Sequence, residues 1–141
     1  MKYLLDTAAI SELIKPGGDQ QYLRWLESQP LPDLALSVLT IAEVYRGIIR
    51  APDPRRKARL EQWLLDDILP EFVDRLLPVD YEVSLIWAEL SEAGRRMGHT
   101  LPAVDSLIAA TAQAHNLVVV TRNVRDFKRC GVPVLSPWAT S

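Results

Sequence analysis

The chain reads as an α/β domain built on a small parallel sheet, and three observations lead there. Short β-rich runs alternate with longer amphipathic stretches from end to end. Residues 117–121 include three consecutive valines and stay apolar until Thr121, as expected of a strand covered on both faces. Acidic residues stand at the mouths of the hydrophobic segments, the ends at which open α/β sheets place their sites. At 141 residues and 48% apolar content, one domain spanning 1–141 can bury a core.

Residues 2–5 form the first expected strand, and a short helix over 7–14 follows, stopped by Pro16-Gly17-Gly18. A second helix over 20–27 carries Leu23 and Leu26 on one face, extended by Trp25, before Pro30 and Pro32 break the chain. Residues 34–37 are the second strand. The helix over 40–50 has an apolar stripe of Ile41, Val44, Tyr45 and Ile48, and Thr40 with Glu43 makes a Thr-x-x-Glu capping box. After the Pro52–Pro54 turn, the spacing of Leu60, Trp63, Leu64 and Ile68 predicts an amphipathic helix over 55–69, closed by Pro70. A short strand over 75–79 and a long helix over 81–97, stopped by Gly98, come next. Pro102 suits the first turn of a helix running to His115, whose Ala109-Ala110 pair permits close packing on a sheet. The valine strand follows, and residues 132–135 form a last strand near the edge, because Pro133 has no donor to give.

Charge and composition narrow the function. The formal net charge of −2 provides no global attraction for nucleic acid, so any such affinity must come from a local patch. Cys130 is the single cysteine, which excludes an internal disulfide and fits a reducing cytoplasm. Asp6 interrupts the opening apolar run too early for a secretory signal, and no stretch approaches membrane-spanning length. His99 and His115 lack Cys or His neighbours at zinc spacing and read as surface or packing residues.

The acids are the informative feature. Asp6 follows a strand and precedes a helix, so it reads both as a helix cap and as a metal ligand. Glu43 has the capping box as its structural reading. Asp105 sits among Leu101, Val104, Leu107 and Ile108, where a carboxylate should be paired, solvated or metal-bound. In Thr121-Arg122-Asn123-Val124-Arg125-Asp126-Phe127, Thr121 and Asn123 offer neutral oxygens and Asp126 a charge, although Asp126 also has Arg122 and Arg125 within pairing reach. Were the runs neighbouring strands, these carboxylates would converge. They would then need a cation to stay ionised together, and an oxygen-only set suits Mg²⁺ or Mn²⁺. That points to metal-assisted phosphoryl chemistry.

The constellation resembles the PIN-domain family, specifically the VapC-like ribonuclease toxins of toxin–antitoxin pairs. The matching stretches are Leu5-Asp6-Thr7 with Ser11-Glu12 beyond, Ser37-Val38-Leu39-Thr40-Ile41-Ala42-Glu43, Asp105-Ser106-Leu107-Ile108-Ala109-Ala110-Thr111-Ala112, the Thr121 to Phe127 stretch, and Val134-Leu135-Ser136-Pro137-Trp138. The resemblance spans the chain in order; each motif is weak alone, and several in register are specific. It implies a three-layer fold with a small central parallel sheet flanked by helices. It matches Asp6, Glu43 and Asp105 to the family's recurrent acids. The fourth acid varies in the family, and this chain has neutral Asn123 at one such position and Asp126 at the other.

The resemblance further implies a Mg²⁺- or Mn²⁺-dependent endoribonuclease leaving 5′-phosphate and 3′-hydroxyl ends. Asp6 and Asp105 would hold the ion that activates water, Glu43 a bound water or a second ion, and Asp126 would join the catalytic acids, with either it or Asn123 completing the site. Thr7, Thr121 and Asn123 would support them from behind. Arg46, Arg50, Arg55 and Arg56 are candidates for RNA phosphate contact, with Lys15 and Arg122 further candidates; most of these also read as a solvated face. The implied partners are an RNA substrate, a cognate antitoxin wrapped across a groove near Trp25, Tyr45 and Trp63, and a second copy of the chain. Two other classes compete. A phosphatase with a nucleophilic Asp would want an acid two residues after Asp6, where Ala8 stands. A metal-binding or RNA-binding module without catalysis is the other.

Overall fold

The computed structural model describes residues 1–139, so the last two positions of the expected domain lie outside the described residues. Five parallel strands form one sheet in the order β3-β2-β1-β4-β5. They are β1 (Tyr3–Leu5), β2 (Leu34–Ser37), β3 (Leu76–Leu77), β4 (Val118–Val120) and β5 (Val134–Leu135). The helices are α1 (Thr7–Ser11), α2 (Gln20–Ser28), α3 (Val38–Arg50), α4 (Pro54–Trp63), α5 (Leu69–Phe72), α6 (Tyr81–Arg96), α7 (Ala103–Ala114) and α8 (Val124–Arg129).

The register explains the layers. Leu4 pairs with Ala35 and Val119, and Leu5 with Leu36 and Val120. Successive strand residues point to opposite faces. Leu4, Ala35 and Val119 therefore join one core with Ile108, Ala109, Ala112 and Phe127. Leu5, Leu36 and Val120 join the other with Ile10, Tyr22, Val44, Phe72 and Trp138. Both faces are covered, which is why these strands read as continuous apolar runs. β5 lies at the edge, where Pro133 needs no partner for its nitrogen. Among the described residues, no helix is long and apolar enough to cross a membrane.

Four local expectations change. The helix placed at 40–50 begins at Val38, directly after β2, and the Ser37 hydroxyl caps it by accepting from Leu39 N at 3.0 Å. Thr40 is therefore inside the helix, buried, with its hydroxyl lacking a hydrogen-bond partner, and no Thr40–Glu43 capping box exists. Pro70 does not close its helix. The backbone widens into a π turn over Leu64–Ile68, where Leu69 N–H reaches back to Leu64 O, and α5 runs on to Phe72. A wider turn accommodates a residue that has no N–H and whose ring would press on the preceding turn. The helix over 7–14 keeps regular form only through Ser11, and the strand over 75–79 is two residues long.

Candidate active site

The C-terminal ends of β1 and β4 lie side by side, held by Asp6 N–H donating to Val120 O at 3.1 Å. Asp6 is buried and its Oδ1 accepts from Ala9 N at 2.9 Å. It is the cap of α1, as its structural reading expected, and its carboxylate stands at the end of the sheet. Thr7, the next residue, donates its hydroxyl hydrogen to Glu43 Oε1. That bond crosses from α1 to the second turn of α3 and draws Glu43 toward Asp6. Glu43 Oε2 lies 3.9 Å from an Arg46 terminal nitrogen.

Asp105 stands in the first turn of α7. The Asn123 amide donates to Asp105 Oδ2 at 3.2 Å and to Asp126 Oδ2 at 2.9 Å. Asn123 is held in turn by its own backbone N–H, which donates to the Thr121 hydroxyl at 2.8 Å. The expectation that Asn123 contributes an oxygen is thus corrected. It turns its N–H₂ toward the acids, because two adjacent carboxylates accept and cannot donate. Arg125 Nε lies 4.0 Å from Asp126, whereas Arg122 turns away toward Glu12.

The acids act on one another electrostatically, Asp105 and Glu43 on Asp6, and Glu43 and Asp126 on Asp105. Burial pushes the Asp6 carboxyl up to about 6, with repulsion from Asp105 and Glu43 adding to it. The Thr121 hydroxyl and Ala9 N–H oppose that rise. Asp105 is raised as well, by burial first and then by Glu43 and Asp126, against the Asn123 amide. Like charges that raise one another are relieved by a cation.

The donor set fits a hard divalent ion. All the groups are oxygens, and Mg²⁺ keeps several waters while using one or two carboxylates. Among the described residues, no three His, Cys, Asp or Glu side chains already form a closed metal cage. An ion seated on two carboxylates and solvent needs no such cage.

The cationic candidates divide. Arg46 faces Glu43, while Arg50 and Arg55 are exposed at the end of α3 and the start of α4. Arg56 lines a cavity of about 350 Å³ together with Lys15, Arg122 and Glu12. Trp25 packs edge-on against Tyr3 and lies partly buried against the core. Trp63 is partly buried against the core, and exposed Tyr45 borders a shallow cavity with Ile41, Leu64, Leu65 and Leu69. Glu12 belongs to a stretch that carries the family resemblance, but no role follows for it from the sequence. Its signal was a carboxylate set between Ile10 and Ile14 in an apolar stretch.

Known proteins share this sequence pattern and fold. A PIN-domain family model matches residues 3–132. The chain is 38% identical to Toxin FitB of Neisseria gonorrhoeae over 135 residues, covering 96% of this chain and 97% of that protein. It is 35% identical to VapC ribonuclease Y4jK of Sinorhizobium fredii, covering 96% of each. The crystal structure of FitAcB from Neisseria gonorrhoeae superposes with a TM-score of 0.94 at 37% identity, covering 98% of this chain and 99% of that one.

Proposed function

The chain belongs to the PIN-domain family, and from that premise we propose that it is a metal-dependent endoribonuclease acting as the toxin of a toxin–antitoxin pair. The observation that carries this reading is the gathering of Asp6, Glu43, Asp105 and Asp126 at the end of a parallel sheet, through the Thr7–Glu43 bond and the Asn123 bridge. A relative named as a ribonuclease and another named as a toxin support the substrate and the biological role.

Asp6 and Asp105 are the residues to hold a Mg²⁺ or Mn²⁺ ion, since burial and mutual repulsion give them most to gain from it. When bound, such an ion supplies positive charge to the phosphate and acidity to a water. Glu43, with Oε1 held by Thr7 and Oε2 3.9 Å from Arg46, would accept a hydrogen bond from a water at the site. Asn123 bridges Asp105 and Asp126 by donating to both. Asp126 adds negative charge behind Asp105, and Thr121 fixes Asn123 and steadies Asp6.

The partners of this reading are an RNA in the cytoplasm, an antitoxin, and a second copy of the chain in a single-domain homodimer. Exposed Tyr45 and Leu65, beside the α3–α4 cavity, support an apolar antitoxin segment there. Exposed Tyr81 and Leu85 on α6 support the homodimer. The test is cleavage of structured RNA with Mg²⁺ or Mn²⁺, with EDTA, and with a small phosphomonoester as alternative substrate. RNA scission abolished by EDTA agrees with the proposal. Release of phosphate from the monoester with RNA left intact contradicts it.

A further inference from the structure

A second polar cavity carries the opposite charge to the acidic site. The cavity of about 350 Å³ is walled by Ala8 and Ser11 of α1, Lys15, Arg56 of α4, Arg122, Glu12 and Trp138. That is at the small end of the roughly 300–1,000 Å³ usual for ligand pockets, enough for a nucleotide-sized group. Three cations face one carboxylate, so the pocket is net positive in a chain whose net charge is −2.

The site is built around a buried acid. The Glu12 side chain is 3% exposed, and its closest partner is the Trp138 indole N–H, donating to Oε1 at 2.6 Å. Tyr22 stacks on Trp138 with ring centroids 4.1 Å apart, which fixes the indole. Lys15 Nζ and Arg122 each stand 3.8 Å from a Glu12 oxygen, beyond direct hydrogen-bond length. Glu12 therefore aims both cations without using up their donors. Their side chains are 57% and 51% exposed and open to a second anion. Asp19, the other acid near Arg122, is engaged in capping α2 through Tyr22 N at 2.9 Å.

Arg122 joins this pocket to the catalytic acids. Its neighbours in the chain are Thr121, which steadies Asp6, and Asn123, which bridges Asp105 and Asp126. Ala8 of the same pocket lies two residues from Asp6. The pocket and the acidic site thus share the start of α1 and the segment between β4 and α8.

We infer that this pocket seats the RNA phosphate next to the one that is cut, with Arg122 and Lys15 as its ligands, Arg56 at its rim and Glu12 as their positioning residue. The inference rests on the endoribonuclease reading and adds how the strand is held. An acidic site repels a polyanion, and a cationic seat one step along the strand offsets that repulsion where it matters.

The experiment measures binding of a labelled single-stranded RNA to Asp105→Asn protein, in which the strand stays intact, across a range of salt concentrations. Lys15→Ala and Arg122→Ala are added singly and together, with Arg122→Lys as the charge-preserving variant and thermal melting as the check on folding. Each alanine variant is expected to weaken binding roughly tenfold and to reduce the slope of log affinity against log salt by about 0.7–1. Arg122→Lys should keep the slope. Unchanged affinity and slope in the double variant overturn the inference, as does weaker binding at an unchanged slope, which marks a structural role alone. Loss of antitoxin binding with RNA binding intact also overturns it, assigning the pocket to a protein partner. If the Asp105→Asn parent binds no RNA and the native protein cleaves none, the endoribonuclease reading itself fails, and that failure is visible before any pocket variant is made.

Discussion

The Asn123 amide donates to Asp105 at 3.2 Å, from the position between β4 and α8 where a further acid would have added to the repulsion. It donates to Asp126 as well, so one neutral side chain ties two carboxylates together without a cation.

Asn123→Asp removes both donors and adds a charge. The metal-free thermal midpoint should fall by about 2–6 °C, for a loss on the order of 1 kcal/mol. The rise in midpoint on adding Mg²⁺ should be larger than in the native protein. Thermal melts with EDTA and with Mg²⁺ check both.

Asp6 sets a pH dependence. Its carboxyl lies at about 6 in the fold against 3.8 ordinarily, so the folded state binds this proton more tightly than the unfolded chain. The stability it contributes is complete below about pH 4 and is lost as pH rises through about 6, by about 3 kcal/mol. A cation favours the ionised form. Urea titrations at pH 4.5 and 7 should therefore show the high-pH loss in EDTA and much less of it at saturating Mg²⁺. Ion affinity should weaken progressively below pH 6 as Asp6 takes up its proton.

Thr7→Val deletes the hydroxyl that holds Glu43 Oε1 while keeping the side-chain volume. Metal affinity or kcat should fall by roughly 10–100-fold, the usual effect of losing a residue that orients a ligand. Thr7→Ser, which keeps the donor, should retain most activity. Steady-state cleavage of a fluorogenic RNA measures both.

Trp138→Phe keeps a ring against Tyr22 and takes the closest donor from the buried Glu12 carboxylate. Stability should drop by about 1–3 kcal/mol. Trp138→Leu, which also forfeits the stack, should cost about 0.5–1.5 kcal/mol more. Urea midpoints at constant slope test this.

Much of this architecture is legible in the sequence. The strands were plain because burial on both faces makes an unbroken apolar run, as in Leu117 to Val120. Asp6, Glu43 and Asp105 were visible as acids at segment ends, and the expected homology placed them in one site. What misled was local chemistry with two solutions. Thr40 and Glu43 spell a capping box, but Ser37 lies nearer the end of β2 and caps first. Pro70 spells a helix end, but a π turn lets the chain pass it. Asn123 could present either end of its amide, and only the neighbouring carboxylates decide which. The burial of Glu12 depends on Trp138, 126 residues away, and no local pattern reports a contact at that distance.

The central claim is that distant side-chain oxygens make one divalent-ion site that cuts RNA. The most direct test titrates Mn²⁺ into native, Asp6→Asn and Asp105→Asn proteins and follows RNA cleavage in the same samples. The account predicts that each substitution lowers ion affinity and abolishes cleavage together, with the fold retained. Native-like, metal-dependent cleavage by either variant would contradict it.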